Sequence, residues 1–348
     1  MKVSYVPIPA KIKVIGLGGA GCNAVTRMVR EQIQGVEFIA MNTDAQHLAI
    51  TEATLRIQLG EHITRGLGVG GDHILGQKAA EESRDEIKQV INGADIVFVA
   101  AGMGGGTGTG SAPIVAEIAK QSGSLTIGVV TKPFTFEGTH RNKVAEKGII
   151  NLMDKVDTLI IIPNDRLLEL CDQKTSVDSA FKMADEVLFH GVQSIAEVIT
   201  VPGLINLDFA DVRTIMKDAG PAWMSIGRGS GQNRAVDAAK QALASPLLDV
   251  SVEGAKGVLF NVAGSNLTLF EVNSAAEFIR QVVHPAANII FGVVLDPNMG
   301  NEVRLTLIAT GFVTKEALAG TAQGKEISQL LRSLETEGEL DIPSFLRR

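Results

Sequence analysis

Apolar residues follow two rhythms along this chain. The first is a set of short continuous runs: "KIKVIGL" from Lys11, "VEFIAMNTD" from Val36, "ADIVFVAAGM" from Ala94, "LTIGVVTKPF" from Leu125 and "TLIIIPND" from Thr158. Unbroken runs of about four to eight aliphatic and β-branched residues suit strands buried on both faces of a parallel sheet. Between them lie stretches of helical periodicity, from the glycine turn after Leu17 to about Gln34, from Gly76 to Asn92 and over "IVAEIAKQ" from Ile114. Ser111 and Pro113 read as cap and first-turn proline of that last helix. The alternation predicts βαβ units in an open α/β sheet, with a ligand crevice at the C-terminal strand ends.

From Ser176 the rhythm changes. Val177, Phe181, Ala184, Leu188, Ile195 and Val198 step by three and four, which predicts one long helix through Thr200, ended by Pro202 and Gly203. A further helix (Phe209 to Asp218) and the glycine-rich "GPAWMSIGRGSG" lead to "GVLFNVAGS", "LTLFEV", "NIIFGVVLD" and "EVRLTLIATG", interleaved with helical "AAEFIRQVV". These predict a second, smaller α/β domain. Beyond about Val313 the chain turns polar and acidic, with Glu335, Glu337, Glu339 and Asp341 near "DIPSFLRR", the pattern of a loose tail. The expected organisation is a first domain over 1–175, a central helix over 176–202, a C-terminal α/β domain over 203–313 and a flexible tail over 314–348.

Composition narrows the classes. A chain of 348 residues, 45% hydrophobic and 20% charged, can bury two cores. The net charge of −7 and the absence of a basic stripe argue against nucleic acid as a partner, since duplex binding relies on clustered Lys and Arg. Cys22 and Cys171 form no CxxC pair, and the six histidines form no HExxH motif, so side chains are assigned no metal. The first residues lack a signal-peptide core and no apolar run is long enough for a membrane span, so a cytoplasmic protein without direct membrane insertion is expected.

Candidate chemistry begins with two glycine loops. Gly16, Gly18 and Gly21 in "GLGGAG" match GxGxxG between strand and helix, and Asp44 follows the second strand, which taken alone suggests a dinucleotide. The second loop, "GMGGGTGTGSAP" from Gly102 to Pro113, has no lysine and is therefore no P-loop. Two such junctions in one sheet can approach a polyphosphate from both sides with backbone N–H groups, and Thr107 and Thr109 add hydroxyls. Phe181 and Asp185 share a helix face, an aromatic plane beside a carboxylate, a spacing that a core aromatic with a solvated charge fits as well. "NLDFAD", Asn206 to Asp211, puts two carboxylates at a helix start, where acids ordinarily serve as caps and where they could also act on a ligand.

Taken together, "KVIGLGGAGCNAV", "VEFIAMNTDAQHL", "AGMGGGTGTGSAP", "VVTKPFTFEG", "IPNDRLL", "PGLINLDFADVRTIM" and "DIPSFLRR" resemble the tubulin/FtsZ family of GTPases over most of the chain. The resemblance implies a Rossmann-like GTPase domain, a long central helix and a smaller C-terminal domain. It also implies head-to-tail homopolymers that build a cytokinetic ring at the division site. Carried over position by position, GTP or GDP would contact Gly19, Ala20, Gly21, Cys22, Asn23, Gly105, Gly106, Thr107, Gly108, Thr109, Glu137, Arg141, Asn164, Phe181 and Asp185. Mg²⁺ would be held mainly by phosphate and water. The catalytic group would be Asn206, Asp208 and Asp211, inserted into the site of the neighbouring subunit. Ile342, Pro343, Phe345 and Leu346 would form a docking peptide for division proteins and membrane tethers. Ala20 and Cys22 replace glycines usual in the first loop, so ordinary helical or bridge conformations are expected there. A nicotinamide-dependent dehydrogenase and a nucleotide-binding scaffold without hydrolysis are the rival readings. The first leaves "NLDFAD" idle, and the second would not need its acids.

Overall fold

The computed structural model describes residues 10–169, 175–200, 208–245 and 255–312. The strands are β1 (Ile12–Leu17), β2 (Val36–Asn42), β3 (Leu55–Gln58), β4 (Ile96–Gly102), β5 (Leu125–Lys132), β6 (Thr158–Pro163), β7 (Gly220–Ser230), β8 (Gly257–Gly264), β9 (Asn288–Leu295) and β10 (Glu302–Thr310). The helices are α1 (Gly18–Arg30), α2 (Ala45–Ile50), α3 (Glu61–Thr64), α4 (His73–Glu82), α5 (Arg84–Ile91), α6 (Thr107–Gln121), α7 (Thr139–Met153), α8 (Asn164–Leu168), α9 (Val177–Thr200), α10 (Phe209–Met216), α11 (Arg234–Leu243) and α12 (Leu269–Val282).

Among the described residues the strands run in the order β3-β2-β1-β4-β5-β6-β7-β10-β8-β9. Strands β1 to β6 are parallel, as the unbroken apolar runs require, and β6 continues parallel into the start of β7. Beyond that the sheet is mixed: β10 is antiparallel to both β7 and β8, and β8 is parallel to β9. The alternate residues of each parallel strand enter different cores. Val14, Phe38, Phe98 and Ile127 pack with α1 and α9 on one face, while Ile15, Ile39, Val97 and Val99 pack with α5, α6 and α7 on the other. Leu188, Val192 and Ile195 anchor α9 to the first core, each burial stabilising by about 1.5–3 kcal/mol. The periodic stripe on α9 is buried from Ala184 onward, whereas Val177 and Phe181 remain exposed, so its first turns are left to other use.

Three local expectations are corrected. Helix α6 does not begin after Ser111 and Pro113 but at Thr107, so the glycine run itself makes the first turns. Ser111 lies inside the helix and donates its hydroxyl to Thr107 O, and Pro113 is an interior proline with no N–H to offer Thr109 O. "LTLFEV" is not extended: Thr268 caps α12 by accepting from Glu271 N–H, and Glu271 reaches back to Thr268 N–H. The glycine-rich "GPAWMSIGRGS" is the eleven-residue strand β7, shared by both parts of the sheet. Gly227 and Gly229 in it answer to α11, since a Cβ on either would run into the backbone of that helix. The expected stop at Pro202 and Gly203, Cys171 and the tail over 314–348 lie outside the described residues.

Candidate functional site

Parallel register brings the C-terminal ends of β1, β4, β5 and β6 to one edge, with Leu17 beside Ala101, Gly102 beside Thr131 and Lys132 beside Pro163. At that edge two helices begin. Helix α1 follows Leu17 and α6 follows Gly106, and neither N-cap residue supplies a side-chain hydrogen bond to the helix. Their first N–H groups and the positive ends of both macrodipoles are therefore available to an anion. The loops touch: Gly18 has φ +66°, and a Cβ there would come within 2.9 Å of Gly108 N. Only glycine meets both conditions.

The cleft at this edge has about 770 Å³ of empty space, part of it open to solvent. Of the fifteen nucleotide residues expected from sequence, Gly19, Ala20, Gly105, Gly106, Thr107, Gly108, Glu137, Arg141, Asn164, Phe181 and Asp185 line it. Thr107 shares a 2.6 Å hydrogen bond with Thr43, which ties the second loop to the end of β2. Arg141 pairs with Glu137 at 3.1 Å, and Glu137 also accepts from Phe134 N–H at 2.9 Å. Asn164 is buried, and its Oδ1 has no hydrogen-bond partner, an orphan acceptor that a ligand N–H would satisfy. Phe181 stands edge-on to Phe134 and Phe136 with centroids 5.5 and 6.5 Å away, leaving a ring face for a planar group. One turn further along α9, burial pushes the Asp185 carboxyl up to about 7, opposed by the charge of Arg27.

The remaining four do not line it. Gly21 packs α1 against β4, where a Cβ would sit 2.5 Å from Ala100 O. Cys22 is fully buried with Ala40 and Leu48, and burial raises its thiol to about 12, so its side chain is a core group. Ala20 and Cys22 both sit inside α1 without positive φ, as expected for the non-glycine residues of that loop. Asn23 is exposed and bonds His47 Nε2 at 3.0 Å. Thr109 is buried and accepts from Gly104 N–H at 2.9 Å, so its hydroxyl pins the loop from behind. Asp44, the acid a dinucleotide reading would place on a ribose, instead caps α2 through Gln46 and His47 N–H.

Sequence reasoning missed Gly70, Thr131 and Pro133, which also line the cleft. Gly70 O accepts from Gly106 N–H at 3.2 Å, so the segment after α3 forms a third glycine loop against the second. The signal was present in "GLGVGGD" from Gly66 to Asp72. Asp208 and Asp211 are exposed at the start of α10, joined by Asp208 N–H to Asp211 Oδ2 at 3.3 Å, and neither lines the cleft of its own chain. Asn206, Ile342, Pro343, Phe345 and Leu346 lie outside the described residues. No group of three His, Cys, Asp or Glu among the described residues could cage a metal.

The same architecture is found in known proteins. Residues 11–172 match the GTPase domain of the Tubulin/FtsZ family, and residues 220–313 match the C-terminal domain of the FtsZ family. An empty FtsZ dimer from M. jannaschii shares 47% identity over 87% of this chain and 89% of that one, with a TM-score of 0.85. CetZ1 from Haloferax volcanii, solved as a GDP-bound monomer, shares 23% identity over 93% of this chain and 99% of that one, with a TM-score of 0.75, a likeness of fold. Two matched segments and nearly half of the aligned residues in common with a solved FtsZ leave one conclusion: this chain belongs to the tubulin/FtsZ family of GTPases.

Proposed function

We propose that this GTPase assembles head to tail, and that GTP in one subunit's cleft is hydrolysed when the next subunit brings up Asp208 and Asp211, with Asn206 beside them. The observation that carries the reading is a separation. The cleft has donors for phosphate and an acceptor for a base, but its Glu137 is engaged by Arg141 and Phe134 N–H, and its Asp185 lies one turn from Phe181. Asp208 and Asp211 meanwhile stand exposed outside it. A site split in this way becomes complete only in a heterologous contact, which propagates into a filament. Catalysis is then mainly the placement and polarisation of water. The dimeric state of the M. jannaschii FtsZ supports self-association. Mg²⁺ accompanying the nucleotide would be held by phosphate oxygens and water, and would neutralise phosphate charge.

The test is phosphate release from GTP over a range of protein concentrations, with light scattering from the same samples. Specific activity that rises only with scattering supports the shared site, and activity proportional to protein without scattering sinks it. Asp211→Ala should bind GTP normally and lose turnover by about a hundredfold or more, as for removal of a group that acts only in the transition state.

The wider role follows from the same reading: a filament that builds a cytokinetic ring in the cytoplasm at the division site. Among the described residues no helix is long and apolar enough to cross a membrane. In this reading the peptide with Ile342, Pro343, Phe345 and Leu346 docks the division proteins and membrane tethers. A chain ending at Leu340 should keep GTP turnover and lose recruitment to membrane-tethering division proteins. Unchanged recruitment would remove the peptide from that role.

A further inference from the structure

Helix α10 carries Asp208 and Asp211 at its start, exposed, while its end is fastened to the rest of the chain. The last carbonyls of a helix have no partner within it. On α10, Ile215 O accepts from the Thr310 hydroxyl of β10 at 3.4 Å, and Met216 O accepts from the Thr158 hydroxyl at the start of β6. The corner that follows is held to the same place. Gly220 N–H donates to Asp157 O at 2.9 Å, and Lys120 of α6 reaches Val156 O at 3.1 Å, Asp218 at 3.3 Å and Asp157 at 3.5 Å. We infer that Thr158, seconded by Lys120, is a positioning residue for GTP hydrolysis: it sets the tilt of α10, and with it the place at which Asp208 and Asp211 reach the neighbouring subunit's nucleotide. The inference rests on the reading of those acids as the groups that complete the neighbour's site.

Holding α10 and aiming it are separate physical tasks. Val212, Ile215 and Met216 bury its inner face in the first core, and that burial keeps the helix on the sheet without giving it a direction. A hydrogen bond is directional, and one at the last residue of a short helix fixes how the rest of it leans. Eight residues span about 12 Å, so a lean of about 10° about the fastened end carries the first residue about 2 Å. An error of about 1 Å in placing a reacting group can cost about a hundredfold in rate. Thr158 is fully buried, so its hydroxyl meets Met216 O without competition from water. Lys120 is half-exposed, and its share is accordingly smaller. Strand β6 also supplies the frame of reference. It begins with Thr158 and ends where Asn164 lines the chain's own cleft, so the acids offered to a neighbour are registered on the sheet that carries that cleft.

The experiment compares the full wild-type chain with Thr158→Val, Thr158→Ser and Lys120→Met, reading GDP affinity, polymer by light scattering, and phosphate release from GTP per polymerised subunit. Thr158→Val should bind GDP and scatter light as the wild type does, with release per polymerised subunit down about tenfold or more. Thr158→Ser, which keeps the hydroxyl, should restore it. Lys120→Met should lose about threefold. A structural role alone would show as a lower melting temperature, weaker GDP binding or less polymer, with release per polymerised subunit unchanged well below the melt. That result overturns the inference, as does a loss that Thr158→Ser fails to restore. Should Thr158→Val not fold, Lys120→Met decides, and wild-type release from it overturns the inference too. Asp211→Ala separates the two layers. If it abolishes release per polymerised subunit while Thr158→Val and Lys120→Met match the wild type, the positioning role alone is wrong. If Asp211→Ala turns over normally, the shared site and the role of Thr158 fall together.

Discussion

The two walls of the cleft are made from different atoms. The wall at the ends of β1 and β4 is backbone: helix N-termini, glycines and carbonyls whose positions follow from how α1 and α6 leave their strands. The wall on α9 is side chain: Phe181 on its exposed first turns and Asp185 where the buried stripe begins at Ala184, with Asn164 from the start of α8 nearby. A backbone wall cannot be altered without moving the sheet edge. A side-chain wall can be retuned by one substitution, and it stores cost locally, as the raised Asp185 carboxyl shows.

The sharpest way to break this comparison is at the backbone wall. Gly18→Ala forces positive φ on a residue with a Cβ and drives that Cβ toward Gly108 N, so stability should fall by about 2–4 kcal/mol and GDP binding should go with it. Thermal melting with a nucleotide titration reads both; a variant that melts normally yet binds no GDP would mean that the wall is not set by the fold.

A control far from both walls comes next. Arg234 holds Glu271 at 2.7 Å and its carboxyl down to about 2. A depressed carboxylate contributes stability above its ordinary value of 4.5, and that contribution is lost as pH falls toward about 2. Glu271→Gln should therefore cost on the order of 2–3 kcal/mol at pH 7, with the gap to wild type closing in acid. Urea melts at both ends of that window check it, and a gap independent of pH would show that packing, not charge, is lost.

At the side-chain wall the sign reverses. A carboxyl raised to about 7 stabilises the folded state below its ordinary value of 3.8, and that contribution is lost as pH rises to about 7. Above neutrality Asp185→Asn should thus raise the stability of the nucleotide-free chain by about 1–2 kcal/mol while weakening guanine binding, the pattern of a site held against its own stability. Melting of the empty protein at pH 8 decides, and a loss of stability would contradict it. The smallest effect is expected at Thr109→Val, which removes the acceptor for Gly104 N–H and should cost about 1 kcal/mol with a modest loss of phosphate affinity. Isothermal titration with GDP and with guanosine would show whether that loss belongs to the phosphate part alone.

Much of this was legible in the chain itself. The parallel strands were readable because residues buried on both faces leave unbroken apolar runs. The long helix was readable because Ala184, Leu188 and Ile195 must meet one core, and Val198 continues their stripe as a buried residue. Strand β7 was not: Gly227 and Gly229 in its middle answer to the close approach of α11, a tertiary demand that reads locally as a loop. The start of α6 was missed for a related reason. Glycines opposite β4 and α4 were read as a turn, although packing there makes a helix despite poor intrinsic propensity.

What the sequence by itself determined was the run of parallel strands β1, β2, β4, β5 and β6, the long helix α9, the two glycine loops and the shared helix face of Phe181 and Asp185, because each rests on spacing within a few residues. Only the tertiary structure decided that "GLGVGGD" closes over the second glycine loop, that Cys22 faces the core, that Asn164 keeps an orphan acceptor and that Arg27 stands against the turn bearing Asp185. Those depend on segments tens to more than a hundred residues apart meeting at one sheet edge, and chain spacing carries no record of such distances until the sheet has set its register.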